Sequence, residues 1–125
     1  MKVYRIECKT HGKGPLGWFE HDDRYACAEA CGAINNLRKF YEVPVPRHDF
    51  GYETYQLMTG WLYSFPSLDC LREFVTTEVR AYLHKHEYQL VCYDAFKWFE
   101  GKSRKQVAFD RKQARMKWTK DLMSV

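Results

Sequence analysis

Several groups of residues have types and spacings that could do chemistry. Pro46-Arg47-His48-Asp49 sets an imidazole beside a carboxylate. A histidine oriented by an acid can serve as a general base, and loops place functional groups more often than cores do. Arg47, His48 and Asp49 are therefore a candidate loop site, with a polar surface turn as the competing account. Gly12-Lys13-Gly14-Pro15-Leu16-Gly17 could cradle an anion with backbone amides. It lacks both the P-loop spacing and the dinucleotide glycine fingerprint, so we read it as a strand-to-helix connection. Cys27 and Cys31 stand four apart, with His11 and His21 upstream. Structural zinc takes two such pairs. Only one fits, and no metal is expected. His84 and His86 close a helix, where cations suit the dipole.

Charge provides the last group. From Gly101 to Lys120 eight lysines and arginines face one acid, Asp110, so this segment carries +7 on a chain whose total is +4. Lys102, Arg104, Lys105, Arg111, Lys112 and Arg115 are a candidate basic surface. Phe109 and Trp118 lie among them, a mixture compatible with phosphate contacts and base stacking. A solvated helix face would show the same charges.

These residues need elements to hold them. Val3 to Cys8 alternates, with Tyr4, Ile6 and Cys8 on one side and Val3, Arg5 and Glu7 on the other, which predicts a strand. Asp22 and Asp23 can cap a helix over Arg24 to Tyr41, on which Ala26, Ala30, Ala33, Ile34, Leu37 and Tyr41 recur at helical spacing. Pro44 and Pro46 end it, and a loop follows. Trp61 to Phe65 reads as an aromatic strand. Ser67 can cap a helix whose stripe is Leu71, Phe74, Val75, Val79 and Tyr82 and which ends near Lys85. Tyr88 to Tyr93 and Val107 to Phe109 read as two further strands, joined as an antiparallel hairpin through a loop containing Gly101. Asp110 can cap a last helix with Ala114, Trp118 and Leu122 on one face, and Arg111, Lys112 and Arg115 on another.

The expected fold class is α+β, a single mixed, largely antiparallel sheet covered by helices, in the order β-α-β-α-β-β-α. At 125 residues the chain is expected to form one domain. Its aromatic fraction of 17% is ample for a core. No apolar run approaches the ~20 residues that span a bilayer. The five cysteines are odd in number and scattered, which suits reduced thiols in a cytosol.

The motifs Val3-Tyr4-Arg5-Ile6-Glu7 with Gly12-x-Gly14-Pro15, Pro44-x-Pro46-x-x-Asp49, Phe65-Pro66-Ser67-Leu68-x-x-Leu71 and Lys105-Gln106-Val107-Ala108-Phe109-Asp110 resemble those of a family of small proteins from tailed bacteriophages and prophages. That resemblance covers most of the chain. It implies an accessory protein in the cytoplasm of an infected bacterium. Such a protein would bind and inhibit a host macromolecule, a protein or protein–nucleic acid complex, including defence systems in the manner of anti-CRISPR proteins. Trp18, Phe19, Trp98 and Phe99 could anchor such an interface.

At the level of fold the chain also resembles ADP-ribosyltransferases. Tyr4-Arg5 is similar to their first strand, Gly60-Trp61-Leu62-Tyr63-Ser64 with the Ser67 helix to their second, and Gln106-Val107-Ala108-Phe109 to their third. The resemblance implies NAD as ligand. Arg5 would hold a phosphate or ribose, Tyr63 would stack on nicotinamide beside Ser64, and position 106 would hold the ribose hydroxyl. That position is Gln, where the resemblance implies a carboxylate. Outside this reading no cofactor is expected.

Overall fold

The computed structural model describes residues 1–10, 12, 14 and 44–125. The helix expected over 24–41 lies outside the described residues, with Cys27, Cys31, His11, His21, Trp18 and Phe19 and much of the glycine segment.

The elements run β1 (Lys2–Cys8), α1 (Pro46–Asp49), α2 (Tyr52–Leu57), β2 (Leu62–Ser64), α3 (Leu68–Phe74), α4 (Thr77–Lys85), β3 (Tyr88–Ala95), β4 (Trp98–Glu100), β5 (Val107–Phe109) and β6 (Ala114–Lys120). Short 3-10 turns occupy Arg111–Gln113 and Leu122–Ser124. The class is α+β, with antiparallel pairing throughout the strands.

The strands fall into two three-stranded sheets instead of the one expected, ordered β1-β3-β6 and β2-β5-β4. A reciprocal backbone pair ties them, Tyr4 N to Phe65 O at 2.9 Å and Phe65 N to Tyr4 O at 2.7 Å. The predicted alternation of β1 decides what each face of the first sheet covers. Ile6 and Cys8, with Tyr88 and Leu90 from β3, pack on Leu71, Phe74, Val75, Val79 and Leu83 of the helical layer. Val3, with Val91, Tyr93 and Ala95, packs on Val107 and Phe109 of the second sheet. The first sheet is thus sandwiched, which explains why β3 is apolar almost end to end. Phe50, Met58 and Ala108 make a third cluster on the outer face of the second sheet, beside Tyr55, Trp61, Tyr63 and Phe99.

The helix expected from Ser67 to near Lys85 is two helices. Ser67 Oγ accepts from Cys70 N at 3.0 Å, the predicted cap. The chain then breaks at Val75, whose φ of −108° and ψ of 86° leave the helical region. Thr76 starts the next helix, its Oγ1 accepting from Val79 N at 3.5 Å. Three β-branched residues in a row, Val75, Thr76 and Thr77, are poor helix interior. Buried Arg80 steadies the break by donating from Nη1 to Val75 O at 2.5 Å.

Three further expectations are corrected. The segment after Asp110 is a strand: Ala114–Lys120 pairs antiparallel with β3, so Arg111, Lys112 and Arg115 do not share a helix face. Nor do the strands at 88–93 and 107–109 form a hairpin. β3 pairs with β1 and β6, while β5 pairs with β2 and with β4, a strand where a loop was expected. Finally, the loop after Pro46 holds the two short helices α1 and α2.

Candidate functional site

Two polar networks take in the side chains of Arg5, Arg111, Asp49 and Gln106. The first grows from β1. Arg5 and Glu7 face inward on alternate positions of one strand, each about 3% exposed. Charges buried so deeply need partners. Arg5 Nε lies 2.8 Å from Glu7 Oε1, and Arg5 Nη1 donates to the backbone oxygen of Tyr63 at 2.8 Å. Glu7 also receives the Tyr93 hydroxyl, at 2.9 Å on Oε1 and 3.1 Å on Oε2, and Arg111 Nη2 at 2.6 Å. Arg111 continues to Gly12 O at 3.0 Å. Burial and the neighbouring Glu7 carboxylate push the Tyr93 phenol up to about 12. The phenol therefore stays protonated and keeps donating. One carboxylate thus gathers β1, β3 and the turn after β5.

The second network grows from α1, which Pro46 opens at its first turn. Asp49, 7% exposed, turns its carboxylate toward the loop between β4 and β5. Oδ1 accepts from Ser103 N at 2.7 Å; Oδ2 accepts from Ser103 Oγ at 2.8 Å and from Gln106 Nε2 at 2.9 Å. Gln106 Nε2 also donates to Pro44 O at 2.8 Å, and Lys102 N to Asp49 O at 2.8 Å. Position 101 must be glycine for this approach, because a Cβ there would collide with the Asp49 carboxylate. The geometry is a clamp between a short helix and a loop.

Outside both networks lies a charged surface. Lys112, Arg115, Lys117 and Lys120 are exposed along β6 and the turn before it, and none is in an ion pair among the described residues. Lys117 is the extra residue of a β-bulge, since Met116 is opposite Tyr93 and Trp118 opposite Cys92. Lys120 Nζ sits 4.5 Å from the Trp118 ring centroid. Phe96 and Trp98, 64% and 41% exposed, flank Lys97 where β3 turns into β4. Behind them Trp61 stacks on Phe99, ring centroids 5.2 Å apart and planes 15° from parallel.

Comparison with known proteins shows the family. The family model described as bacteriophage T4 Y00F protein matches residues 1–123. The chain belongs to that family. No curated protein and no solved structure matches it.

In this Y00F-family chain the candidate residues are redistributed. Asp49 and Gln106, 57 positions apart and assigned to different sites by sequence, meet in one clamp. Arg5 reaches the backbone oxygen of Tyr63; the Tyr63 ring lies against Phe50, 6.2 Å between centroids. Ser64 Oγ donates to Val107 O at 2.9 Å on the inward side. Arg5 and Gln106 therefore lie in separate networks. Arg47 and His48 are exposed on α1 beside buried Asp49. The basic set divides as well. Lys102 and Arg104 stand exposed by the clamp, Lys105 pairs with Glu73 at 2.5 Å, Arg111 joins the Glu7 network, and Lys112 and Arg115 open β6. Sequence reasoning missed Glu7, Tyr93 and Ser103. Glu7 had a signal: it shares an inward strand face with Val3 and Arg5, where a charge requires a counterion. Ser103 had none, because its partner is 54 residues away. Among the described residues no helix is long and apolar enough to cross a membrane.

Proposed function

We propose that this phage protein acts by binding a host macromolecule and blocking its work, host defence systems being the class of target that the resemblance implies. One observation carries the reading: the direction in which its polar groups face. Arg5, Glu7, Asp49 and Gln106 are buried and engaged with one another or with backbone. Cations and aromatics face outward instead, on β6 and the turn between β3 and β4. Interfaces draw on such aromatic and arginine side chains.

Capture from host lysate tests this. The chain is immobilised and compared with the triple variant Lys112→Glu, Arg115→Glu, Lys117→Glu. The expected result is saturable retention of a host component by the native chain, at least about tenfold above the variant, and loss of that component's activity when the chain is added. Retention of nothing above background by either chain would remove the reading.

A further inference from the structure

We infer that the turn between β3 and β4, together with the adjoining basic strand β6, is a binding surface for single-stranded nucleic acid. The inference rests on the binding reading above and names the chemistry of the partner.

The turn that carries the aromatics adjoins the turn that opens the basic strand. Phe96 N donates to Gln113 O at 2.9 Å, and Asp110 N to Lys97 O at 3.4 Å, so the two turns lie side by side. From there β6 runs against β3 in register, Ala114 opposite Ala95 and Arg115 opposite Asp94. Phe96-Lys97-Trp98 therefore adjoins the turn that carries Lys112, and β6 leaves that turn with Arg115, Met116 and Lys117 along it.

The cations outnumber the neighbouring acids. Asp94 is offset by the Met1 ammonium at 3.2 Å, while Asp110 accepts from the backbone amide of Lys112 at 3.1 Å and keeps its charge. Glu100 stands exposed at the far end of β4. Lys97 leans toward Trp61, 5.8 Å from its ring centroid, a weak contact that a phosphate can replace.

Lysines on an edge strand have a second use, since they keep strands of other molecules from pairing with it. That use does not account for two large aromatics on the adjoining turn, which would favour association if left uncovered. Cations tracking a phosphate backbone, with aromatic rings offered to the bases, is the combination by which single strands are held. A duplex keeps the faces of its bases stacked inside, so these rings favour the single strand.

The test is fluorescence anisotropy of the full chain with a labelled oligothymidylate of about 20 nucleotides. If Lys97, Lys112, Arg115 and Lys117 each meet a phosphate, affinity falls about 50-fold between roughly 50 and 200 mM salt. The triple variant Lys112→Ala, Arg115→Ala, Lys117→Ala flattens that dependence. Phe96→Ala and Trp98→Ala each weaken binding roughly tenfold with the salt slope unchanged. Phe96→Leu, which keeps apolar bulk without the ring, weakens it similarly and guards against a folding defect. The inference is overturned by no binding at the lower salt, by equal affinity for duplex, by aromatic variants that bind like the native chain, or by polyglutamate displacing the oligonucleotide as well as DNA does. The last result would assign the surface to an acidic protein. A host component still captured in a β6-dependent way would then leave the broader proposal standing; capture of nothing would remove both.

Discussion

Arg111 Nη2 reaches Glu7 Oε1 at 2.6 Å across 104 positions of sequence, and the two differ sharply in exposure. The Glu7 side chain is 4% exposed, that of Arg111 44%. The pair is therefore asymmetric in energy. Removing the buried partner takes from Arg5 the carboxylate 2.8 Å from its Nε, whereas removing the outer one leaves Glu7 with Arg5 and Tyr93.

Glu7→Gln should destabilise the fold by about 3–5 kcal/mol, the cost of breaking a deeply buried pair from one side. Arg111→Ala should cost less than about 1 kcal/mol, because solvent screens its half of the contact. Urea unfolding of both variants checks this. Equal losses would mean that Glu7 draws its main compensation from Arg111.

Tyr93→Phe should change the alkaline limb of stability. The folded protein holds the phenol proton up to about 12, while the unfolded chain releases it near 10. Both states are protonated below pH 10, so this group adds no pH dependence there. Between pH 10 and 12 the unfolded state binds fewer protons, and stability falls by at most about 1.4 kcal/mol per pH unit. The variant should lack that component of the slope in melts between pH 9 and 12.

Gly101→Ala tests the clamp. The added methyl meets the Asp49 carboxylate, so α1 or the loop between β4 and β5 must shift. The expected loss is about 1–3 kcal/mol by thermal unfolding. Asp49→Ala in the same background should largely relieve the clash, giving a coupling that neither single variant predicts.

Glu87→Gly should stabilise the protein. Glu87 follows the C-cap of α4 with φ of 65°, the left-handed conformation in which a side chain is unfavourable. Its ion pair with Lys9, 3.8 Å and well exposed, contributes little. A gain of about 0.5–1 kcal/mol in unfolding free energy is expected.

Local signals were legible in the sequence and distant pairings were not. The two faces of β1 followed from alternation alone, and Ser67 announced its helix as a cap. The last element misled because Ala114, Trp118 and Leu122 recur at intervals of four. An even interval suits the two-residue period of a strand as well as a helical turn. Pairing with β3 decides the outcome, and the bulge at Lys117 lets Trp118 rejoin the helical side of the sheet, where its ring lies 6.0 Å from Tyr4. Of the candidate site residues, each side chain was visible as a chemical type, but Asp49 with Gln106 and Arg5 with Glu7 show that their partners are set by tertiary contacts.

The pairing of β1 with β3, Lys2 opposite Asp94 through Cys8 opposite Tyr88, has a consequence for synthesis on the ribosome. The strand β1 leaves the ribosome before this neighbour, which is encoded some eighty to ninety residues later. A nascent chain must carry β1 without its ladder to β3 until Tyr88–Ala95 has emerged. The first sheet then closes late, and a product terminated ahead of Tyr88 would leave that strand without its ladder to β3.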